Sequence, residues 1–194
     1  ITTASAAHVE GFGSLAGIVK AKGEILDHLK PGGTAVLNHD DSHVSDWIER
    51  AKPRRFVQFS LQEGARAEYI ARDLQSNPNG RVAFTLLTPV GECEINMQLL
   101  GRHNVMNAAA AAAVALEVGA DLENVKAGLA GVEAVPGRLS AVKGIANSLL
   151  LDDSYSASPN SFSAAIDVLA TFSGRRILIS GDMKELGNET ESAH

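Results

Sequence analysis

The sequence predicts an α/β fold, in which a mixed sheet with covering helices and a β-hairpin region is followed by the opening of a second strand–helix–strand unit. Three observations predict it. Apolar residues recur at helical spacing after Ser14 and again through the alanine-rich run near residue 108. Residues 55–100 instead carry strand-like runs separated by turn residues. Beyond residue 138, two short apolar runs flank a segment of helical spacing, which is typical of a βαβ crossover.

The first predicted helix begins at the N-cap Ser14 and ends at Pro31-Gly32-Gly33, because a hydroxyl caps a helix start and proline with glycine interrupts the pattern. Ahead of it, Ile1-Thr2-Thr3 is typical of the tail of a buried strand, so we expect the chain to begin in mid-domain. After it we predict a strand over residues 34–38 and a helix within residues 39–53.

Residues 55–100 are predicted to form strands. Pro89-Val90-Gly91-Glu92 has the composition of a hairpin turn, so the strands on either side of it should pair antiparallel. Gly101 then opens a helix that carries the alanine-rich run to Val118, and Asp121 caps the helix that follows. The predicted strand segments are 56–59, 69–71, 82–88 and 93–99.

A loop over residues 134–138 marks the predicted boundary between a first unit, residues 1–142, and a second unit, residues 143–194. In the second unit we predict a buried strand over residues 148–152 and another over residues 177–180. A helix between two strands of one sheet makes a right-handed crossover, so these strands should be parallel neighbours.

The crossover helix of the second unit has a clear start. Ser158 is its predicted N-cap and Pro159 occupies the first helical position, where the missing N–H of proline is no loss. Helical spacing then predicts a buried stripe made of Phe162, Ile166 and Leu169.

Composition and charge argue against several classes of protein. The net charge of -6 disfavours a nucleic-acid partner, since no basic face would neutralise phosphates. No apolar run approaches the roughly 20 residues that a membrane helix needs, so we expect no membrane insertion. Cys93 is the single cysteine, which excludes an intrachain disulfide and favours a reducing, cytoplasmic location.

Lys22 is the first candidate for chemistry, because it stands on the apolar stripe of the first helix where leucine or isoleucine is expected. Burial there would lower the pKa of its amine. A neutral amine can react with carbon dioxide to give a carbamate, an anion able to bind Mg²⁺. The alternative is a lysine whose stem packs while its ammonium reaches solvent. His8, in a loop near Glu10, is either a ligand or a hydrogen-bonded structural residue.

Asn104 and Asn107 are the second candidates. They share one face of a helix at its N-terminus, where free N–H groups favour anions. Two amides together offer the donor and the acceptor that an adenine edge requires. The alternative, equally open on the sequence, is that both side chains cap the helix.

Acidic residues follow both predicted parallel strands of the second unit. Asp152-Asp153-Ser154-Tyr155 follows the first strand and Gly181-Asp182 follows the second. Ligands bind at the carboxyl ends of such strands, and a carboxylate there can accept hydrogen bonds from ribose hydroxyls. Arg138, in the interdomain loop, is either a phosphate clamp that engages on closure or a surface arginine.

The phosphate-binding pattern G-x-x-x-x-G-K-[ST] occurs nowhere in the sequence. The chain therefore offers candidate contacts for adenine and ribose without the glycine-rich loop that would hold the phosphates.

Several stretches, in this order, resemble the Mur ligases, and within that family the MurF-type members. Any one of them would be a weak match, but together they run from the first residues to nearly the last. They are AHVEGFGS (7–14), AKGEI (21–25), Leu37, Asn38 and Asp40 of an LN-D pattern, GRHNVMNAAAAAAV (101–114), AVPGRL (134–139), LLLDDSY (149–155) and GDMKELG (181–187).

The resemblance implies that the chain is the later part of a Mur ligase central ATPase domain plus the start of a Rossmann-like C-terminal domain. His8 resembles the histidine that binds a Mg²⁺ ion, and Lys22 the lysine that is carbamylated and binds it as well. Arg138 resembles the arginine that reaches the nucleotide phosphates. On the nucleotide side the resemblance implies contacts from His103, Asn104, Asn107, Asp153 and Tyr155.

The implied reaction is an ATP-dependent ligation. A phosphoryl group passes from ATP to the terminal carboxylate of UDP-N-acetylmuramoyl-tripeptide, and the amine of D-alanyl-D-alanine attacks the resulting acyl phosphate. The implied cofactors are ATP and Mg²⁺, the setting is cytoplasmic peptidoglycan synthesis, and we expect a monomer. The family's phosphate loop would lie upstream of Ile1, so we expect the chain to be inactive by itself.

The sequence departs from the family pattern at three asparagines, replaced here by Thr3, Ser156 and Ser158. A hydroxyl cannot supply an amide's paired donor and acceptor. Two alternatives therefore stay open beside the MurF-type ligase. One is a sister enzyme, such as another Mur ligase or a folylpolyglutamate synthase. The other is a non-catalytic nucleotide-binding module of the same fold.

Overall fold

The computed structural model describes residues 1–5, 9–187 and 190–194, and it confirms the predicted α/β class. The helices are α1 (Val9–Phe12), α2 (Leu15–Asp27), α3 (Val44–Ala51), α4 (Arg102–Glu117), α5 (Leu122–Ala130), α6 (Pro159–Thr171) and α7 (Thr190–Ala193). The strands are β1 (Thr34–Asn38), β2 (Arg55–Ser60), β3 (Tyr69–Ser76), β4 (Arg81–Thr88), β5 (Gly91–Leu100), β6 (Ser140–Lys143) and β7 (Leu149–Asp152). A 3₁₀ turn over Ile145–Asn147 separates the last two strands.

The main sheet is mixed. Its order is β1-β2-β3-β4-β5, with β1, β2 and β3 parallel and β4 and β5 antiparallel to their neighbours. The predicted hairpin is confirmed, since Thr88 pairs with Gly91 across the turn. The parallel strands bring their carboxyl ends to one edge, where Asp40 accepts hydrogen bonds from the Ser60 hydroxyl and the Leu61 N–H at 2.5 and 2.8 Å.

Helix α4 covers one face of this sheet. Ala108, Ala109, Ala112 and Ala113 of this helix are buried, and their small side chains let the helix lie close to the strands. Asp121 caps α5, as predicted, by accepting a hydrogen bond from the Asn124 N–H at 2.7 Å. The core on this face joins α4 and α5 to the large side chains Phe59, Phe84, Leu86 and Ile95.

Helices α2 and α3 cover the other face of β1. The single tryptophan, Trp47, is 1% exposed, and its indole N–H donates to the Val19 carbonyl at 3.1 Å. Because β1 alternates, Ala35 and Leu37 belong to this core while Val36 packs against α4.

The beginning of the chain lies beside β1, but residues 1–5 form no regular strand and Thr2 and Thr3 are exposed, so the predicted tail of a buried strand is confirmed only at Ile1, which pairs with β1. The Ile1 amine donates to the Val36 carbonyl at 2.6 Å, and the Asn38 N–H donates to the Ile1 carbonyl at 3.1 Å. Two side chains then hold the next residues, because Asn38 Nδ2 donates to the Thr2 carbonyl and Asp41 Oδ2 accepts from the Ala4 N–H.

The predicted parallel βαβ unit is wrong within the described residues. Strand β7 pairs antiparallel with β6, and residues 177–180 are not a strand. Ile177 and Ile179 are instead 63% and 91% exposed. An apolar run becomes a strand only where a neighbour takes up its N–H and C=O groups, and here the neighbour of β7 is β6.

Two predicted burial patterns in the second unit are also wrong. Strand β7 was expected to be buried, but Leu149 and Leu150 are half-exposed. In α6 the buried residue is Val168, while Ile166 is 40% exposed. The side of α6 that packs is decided by its contact with Leu100 and Leu139, which helical spacing alone does not reveal. The start of α6 is as predicted, since Ser158 caps it in a reciprocal capping box.

Candidate functional site

The site lies at the connection between β5 and α4. Helix α6 of the second unit packs against this connection. Gly101 makes the turn with φ +84, in the region that favours glycine. A Cβ at this position would come within 2.5 Å of Val168 Cγ2 and 2.8 Å of His103 Cε1. The glycine therefore permits both the turn and the close approach of α6.

His103 stands in the first turn of α4 and faces the second unit. Burial lowers the pKa of its imidazole, and the nearby carboxylate of Asp153 offsets part of that effect. The ring is thus neutral at pH 7, and a neutral imidazole carries both a donor and an acceptor for a ligand. The predicted nucleotide residues His103 and Asp153 come together here.

The loop that carries Arg138 is bound to the segment after β7. Tyr155 donates its backbone N–H to the Gly137 carbonyl, and Asp153 Oδ1 accepts from the Leu139 N–H, both at 3.0 Å. The loop thus continues the antiparallel register of β6 and β7, in which Ser140 faces Asp152. A carboxylate accepts on both oxygens, so the bond to Leu139 leaves Asp153 able to bind a ribose hydroxyl.

Asp152 supports the same loop. Hydrogen bonds from the Ser154 side chain and backbone hold the pKa of its carboxyl below the usual range, and the Gly137 N–H contributes as well. The two neighbouring acids therefore bind the backbone on the two sides of Arg138.

Arg138 stacks on Tyr155. Its guanidinium carbon lies 4.2 Å from the centre of the ring, a cation–π distance. The ring is 68% exposed, so the contact occurs at the surface of the site. The structure places both predicted residues in the group formed by His103 and Asp153.

Asn104 and Asn107 make local hydrogen bonds. Asn104 Nδ2 donates to the Leu100 carbonyl at 2.8 Å, and its Oδ1 accepts from Asn107 Nδ2 at 3.3 Å. The first bond ties the end of β5 to α4, but it is not the predicted cap, because the start of α4 has no side-chain cap hydrogen bond. Asn107 is exposed on the same helix face.

Lys22 is exposed, and the predicted burial on the stripe of α2 is wrong. The buried face of α2 is Ile18, Val19, Gly23 and Leu26, because Trp47 and Arg50 of α3 pack at Gly23. Lys22 lies near Ile1 at the start of the described residues.

His8 lies outside the described residues, so its proposed role as a ligand has no geometry here. Its neighbour Glu10 donates a backbone N–H to the Glu185 carbonyl at 3.4 Å, which brings residues 181–187 beside α1. Gly181 and Asp182 do not end a strand as predicted, because residues 177–180 form none.

The described residues include no cluster of three histidine, cysteine, aspartate or glutamate side chains that could hold a metal ion. In the same part of the chain, no helix is long and apolar enough to cross a membrane.

Two supporting residues, Leu139 and Val168, were missed by the sequence reasoning. Leu139 has φ +48, a strained conformation for leucine, held by the bond to Asp153 and by burial of its side chain. Asp152 and Val168 support the site from either side. The glycine at 137 was a signal for the turn, whereas nothing local marks Leu139 or Val168.

Comparison with known proteins identifies relatives along the whole chain. A family model described as the Mur ligase middle domain matches residues 1–115. Over 194 residues, the sequence is 45% identical to the UDP-N-acetylmuramoyl-tripeptide--D-alanyl-D-alanine ligase of Escherichia coli (strain K12), covering 100% of this chain and 42% of that protein. The chain thus spans about two fifths of the length of the curated relatives it matches.

Solved structures give the same result. A crystal structure of MurF from Acinetobacter baumannii matches with a TM-score of 0.93 at 34% identity, covering 100% of this chain and 41% of that chain. The MurF ligase of Thermotoga maritima, crystallised in complex with ADP, matches with a TM-score of 0.84 at 26% identity, covering 99% of this chain and 44% of that one.

Proposed function

The chain belongs to the Mur ligase family, and from this we propose that it is part of an ATP-dependent ligase that adds D-alanyl-D-alanine to UDP-N-acetylmuramoyl-tripeptide. The observation that carries the proposal is the 45% identity, over the whole chain, to an Escherichia coli protein of that name. Residues 1–142 would be the later part of the central ATP-binding domain and residues 143–194 the opening of the C-terminal domain.

The proposed reaction has two steps. An oxygen of the tripeptide's terminal carboxylate attacks the γ-phosphorus of ATP, which forms an acyl phosphate and releases ADP. The amine of D-alanyl-D-alanine then attacks the acyl carbon, and inorganic phosphate leaves as the amide forms and the amine loses its proton. The setting would be cytoplasmic peptidoglycan synthesis, carried out by a monomer.

For the nucleotide, the proposal uses the group at the start of α4. The Thermotoga maritima relative was crystallised with ADP, which supports a nucleotide on this fold. Asp153 would accept from the ribose hydroxyls, and the neutral ring of His103 would lie beside the adenine with Asn104 and Asn107. Arg138 would reach the phosphates, because its guanidinium lies at the exposed rim of this group.

For Mg²⁺, we propose His8 and the carbamate of Lys22 as ligands. Because Lys22 is exposed, burial no longer argues for a reactive amine, and the proposal rests on the match of this lysine to the family pattern. A carbamate supplies oxygen ligands, which Mg²⁺ prefers. When bound, the ion would neutralise charge on the phosphates.

A non-catalytic nucleotide-binding module is the second candidate. The serines at 156 and 158, which replace asparagines of the family pattern, favour it. The structure weakens the argument at Ser158, because this serine caps α6. Serine caps a helix about as well as asparagine, so the replacement preserves that role.

The test uses a hybrid enzyme, the Escherichia coli relative with its matching segment replaced by these 194 residues. Phosphate release from ATP and Mg²⁺ is measured with UDP-N-acetylmuramoyl-tripeptide, with and without D-alanyl-D-alanine. We expect release that requires both substrates. A hybrid that binds ATP but releases no phosphate would contradict the ligase and favour the module, and release with a different amino acid would indicate a sister enzyme.

Lys22→Ala in this hybrid tests the carbamate. We expect phosphate release to fall by at least about 100-fold, since a ligand to the charge-neutralising ion is lost. Lys20→Ala is the matched control, because Lys20 is exposed on the same helix, and it should retain activity. With ¹³C-bicarbonate, a carbamate carbon signal should appear in the parent and in Lys20→Ala. Its presence in Lys22→Ala would assign the carbamate to another residue.

A further inference from the structure

We propose that Tyr155 is a positioning residue that holds the Arg138 guanidinium in the orientation from which it engages the nucleotide phosphates. This inference rests on the proposed function for the role of Arg138, and on the structure for the contact itself. It differs from a direct nucleotide contact by Tyr155, because the ring would act only through the arginine.

The backbone on both sides of Arg138 is fixed to the segment that carries Tyr155. Gly137, with φ +76, accepts from the Tyr155 N–H, and a Cβ on it would lie 3.2 Å from Tyr155 Cβ. Leu139, with φ +48, donates to Asp153 and is buried. Two positive φ angles on either side of one residue restrict where its side chain can point.

The remaining freedom is in the arginine side chain itself. An arginine has several rotatable bonds, and an exposed one populates many conformations. Its guanidinium here lies 4.2 Å from the centre of the Tyr155 ring. A planar guanidinium stacks on an aromatic face and keeps its N–H groups free to point along the ring plane toward an anion. The ring thus restricts the side chain without occupying its donors.

Burial does not explain why an aromatic side chain stands at position 155. Tyr155 is 68% exposed, so its packing contributes little to the stability of the fold. Its backbone bond to Gly137 would persist with any side chain except proline. The aromatic face is therefore the property that Arg138 uses.

The first experiment measures the contact in the 194-residue chain by NMR. The ring current of Tyr155 should shift the Arg138 side-chain resonances upfield. Tyr155→Leu should abolish the shift and Tyr155→Phe should keep it, since both aromatic rings present a π face. An unshifted arginine in the parent chain would overturn the proposal, whatever the activity of the ligase.

The second experiment measures steady-state kinetics in the hybrid ligase. Tyr155→Leu should raise KM for ATP or lower kcat so that kcat/KM falls roughly two- to fivefold, the range of an exposed cation–π contact. Tyr155→Phe should recover most of this loss. In Arg138→Ala, the additional change Tyr155→Leu should have no further effect, because the ring acts through the arginine.

Three results would overturn the positioning role. Equal losses from Tyr155→Leu in the presence and absence of Arg138 would assign the ring a direct contact. A lower KM in Tyr155→Leu would mean that the ring competes with the phosphates for Arg138. Loss of activity in Tyr155→Phe as large as in Tyr155→Leu would assign the role to the hydroxyl. A parent hybrid without ligase activity would instead contradict the proposed function, and the NMR result would stand separately.

Discussion

At the scale of single residues, polar side chains join distant parts of the chain. Glu117 at the end of α4 binds Arg55 of β2 and accepts from the Tyr69 hydroxyl of β3 at 2.9 Å. Burial and that carboxylate raise the pKa of Tyr69 to about 12. Asp152 and Asp153 likewise accept hydrogen bonds from the backbone of the loop that carries Arg138. Glu117 and Asp152 each accept several donors, which is how a partly buried charge is stabilised.

His103 makes the stability of the chain depend on pH. Burial lowers the pKa of its imidazole in the folded state below the ordinary 6.5. Below pH 6.5 the unfolded chain therefore binds a proton at His103 that the folded chain does not bind. The contribution of the neutral His103 to the free energy of unfolding is present above that pH and is lost as the pH falls. In urea unfolding at a series of pH values, His103→Gln should reduce the loss of free energy of unfolding between pH 6.5 and 5.

The matched control for this prediction is His28→Gln, since His28 is exposed at the end of α2. It should leave the pH dependence as in the parent chain. If the parent and His103→Gln gave parallel curves, the imidazole would not be desolvated in the folded chain.

At the scale of elements, close approach of backbones decides the architecture. Alanines let α4 lie on the sheet, Gly23 admits Trp47 and Arg50 against α2, and Gly101 admits α6. The second unit is thereby held against the start of α4, which is where the nucleotide group forms. A side chain larger than hydrogen at Gly101 would separate the elements that build the site.

Gly101→Ala should lower the free energy of unfolding by about 3 kcal/mol, from the positive φ and from the clash with Val168 together. Gly119→Ala is the matched control. Gly119 also has a positive φ, of +96, but a Cβ there would meet nothing within 4 Å, so the expected loss is only about 1 kcal/mol. Urea unfolding followed by Trp47 fluorescence measures both. Equal losses of unfolding free energy in the two variants would show that α6 moves away from the added methyl group at little energetic cost.

At the scale of the whole molecule, apolar surface is distributed unevenly. The first unit has a core on both faces of β1, whereas the second unit exposes many large apolar side chains. Ile145 and Ile179 are 90% and 91% exposed. Contiguous exposed apolar surface promotes association.

The 194-residue chain by itself should therefore self-associate. The double change Ile177→Ser with Ile179→Ser should lower the fraction of associated chain in sedimentation velocity, because it removes two large exposed side chains from one run. Val118→Ser is the control, since Val118 is 80% exposed but stands at the end of α4 away from that run, and it should change little. A parent chain that sediments as a monomer at high concentration would contradict this prediction.

The sequence alone predicted the first unit well, because local rules decide most of it. Alternation located β1 to β5, and the turn at Pro89–Glu92 predicted the antiparallel return. Caps located the starts of α2, α5 and α6, since Ser14, Asp121 and Ser158 satisfy N–H groups within their own turns. The order of the motifs along the chain indicated the family, because this order can be read from the sequence without a structure.

Only the tertiary structure decided which faces are buried and which strands pair. Lys22 and Ile166 were assigned to buried stripes of their helices but are exposed, because a helix with apolar residues on several sides buries the side that its neighbours cover. The pairing of β7 with β6 likewise depends on a competition between strands far apart in sequence. The stack of Arg138 on Tyr155 depends on that pairing, which brings the two residues close together. A local sequence pattern does not predict such a contact, because it depends on which strands pair and in which register.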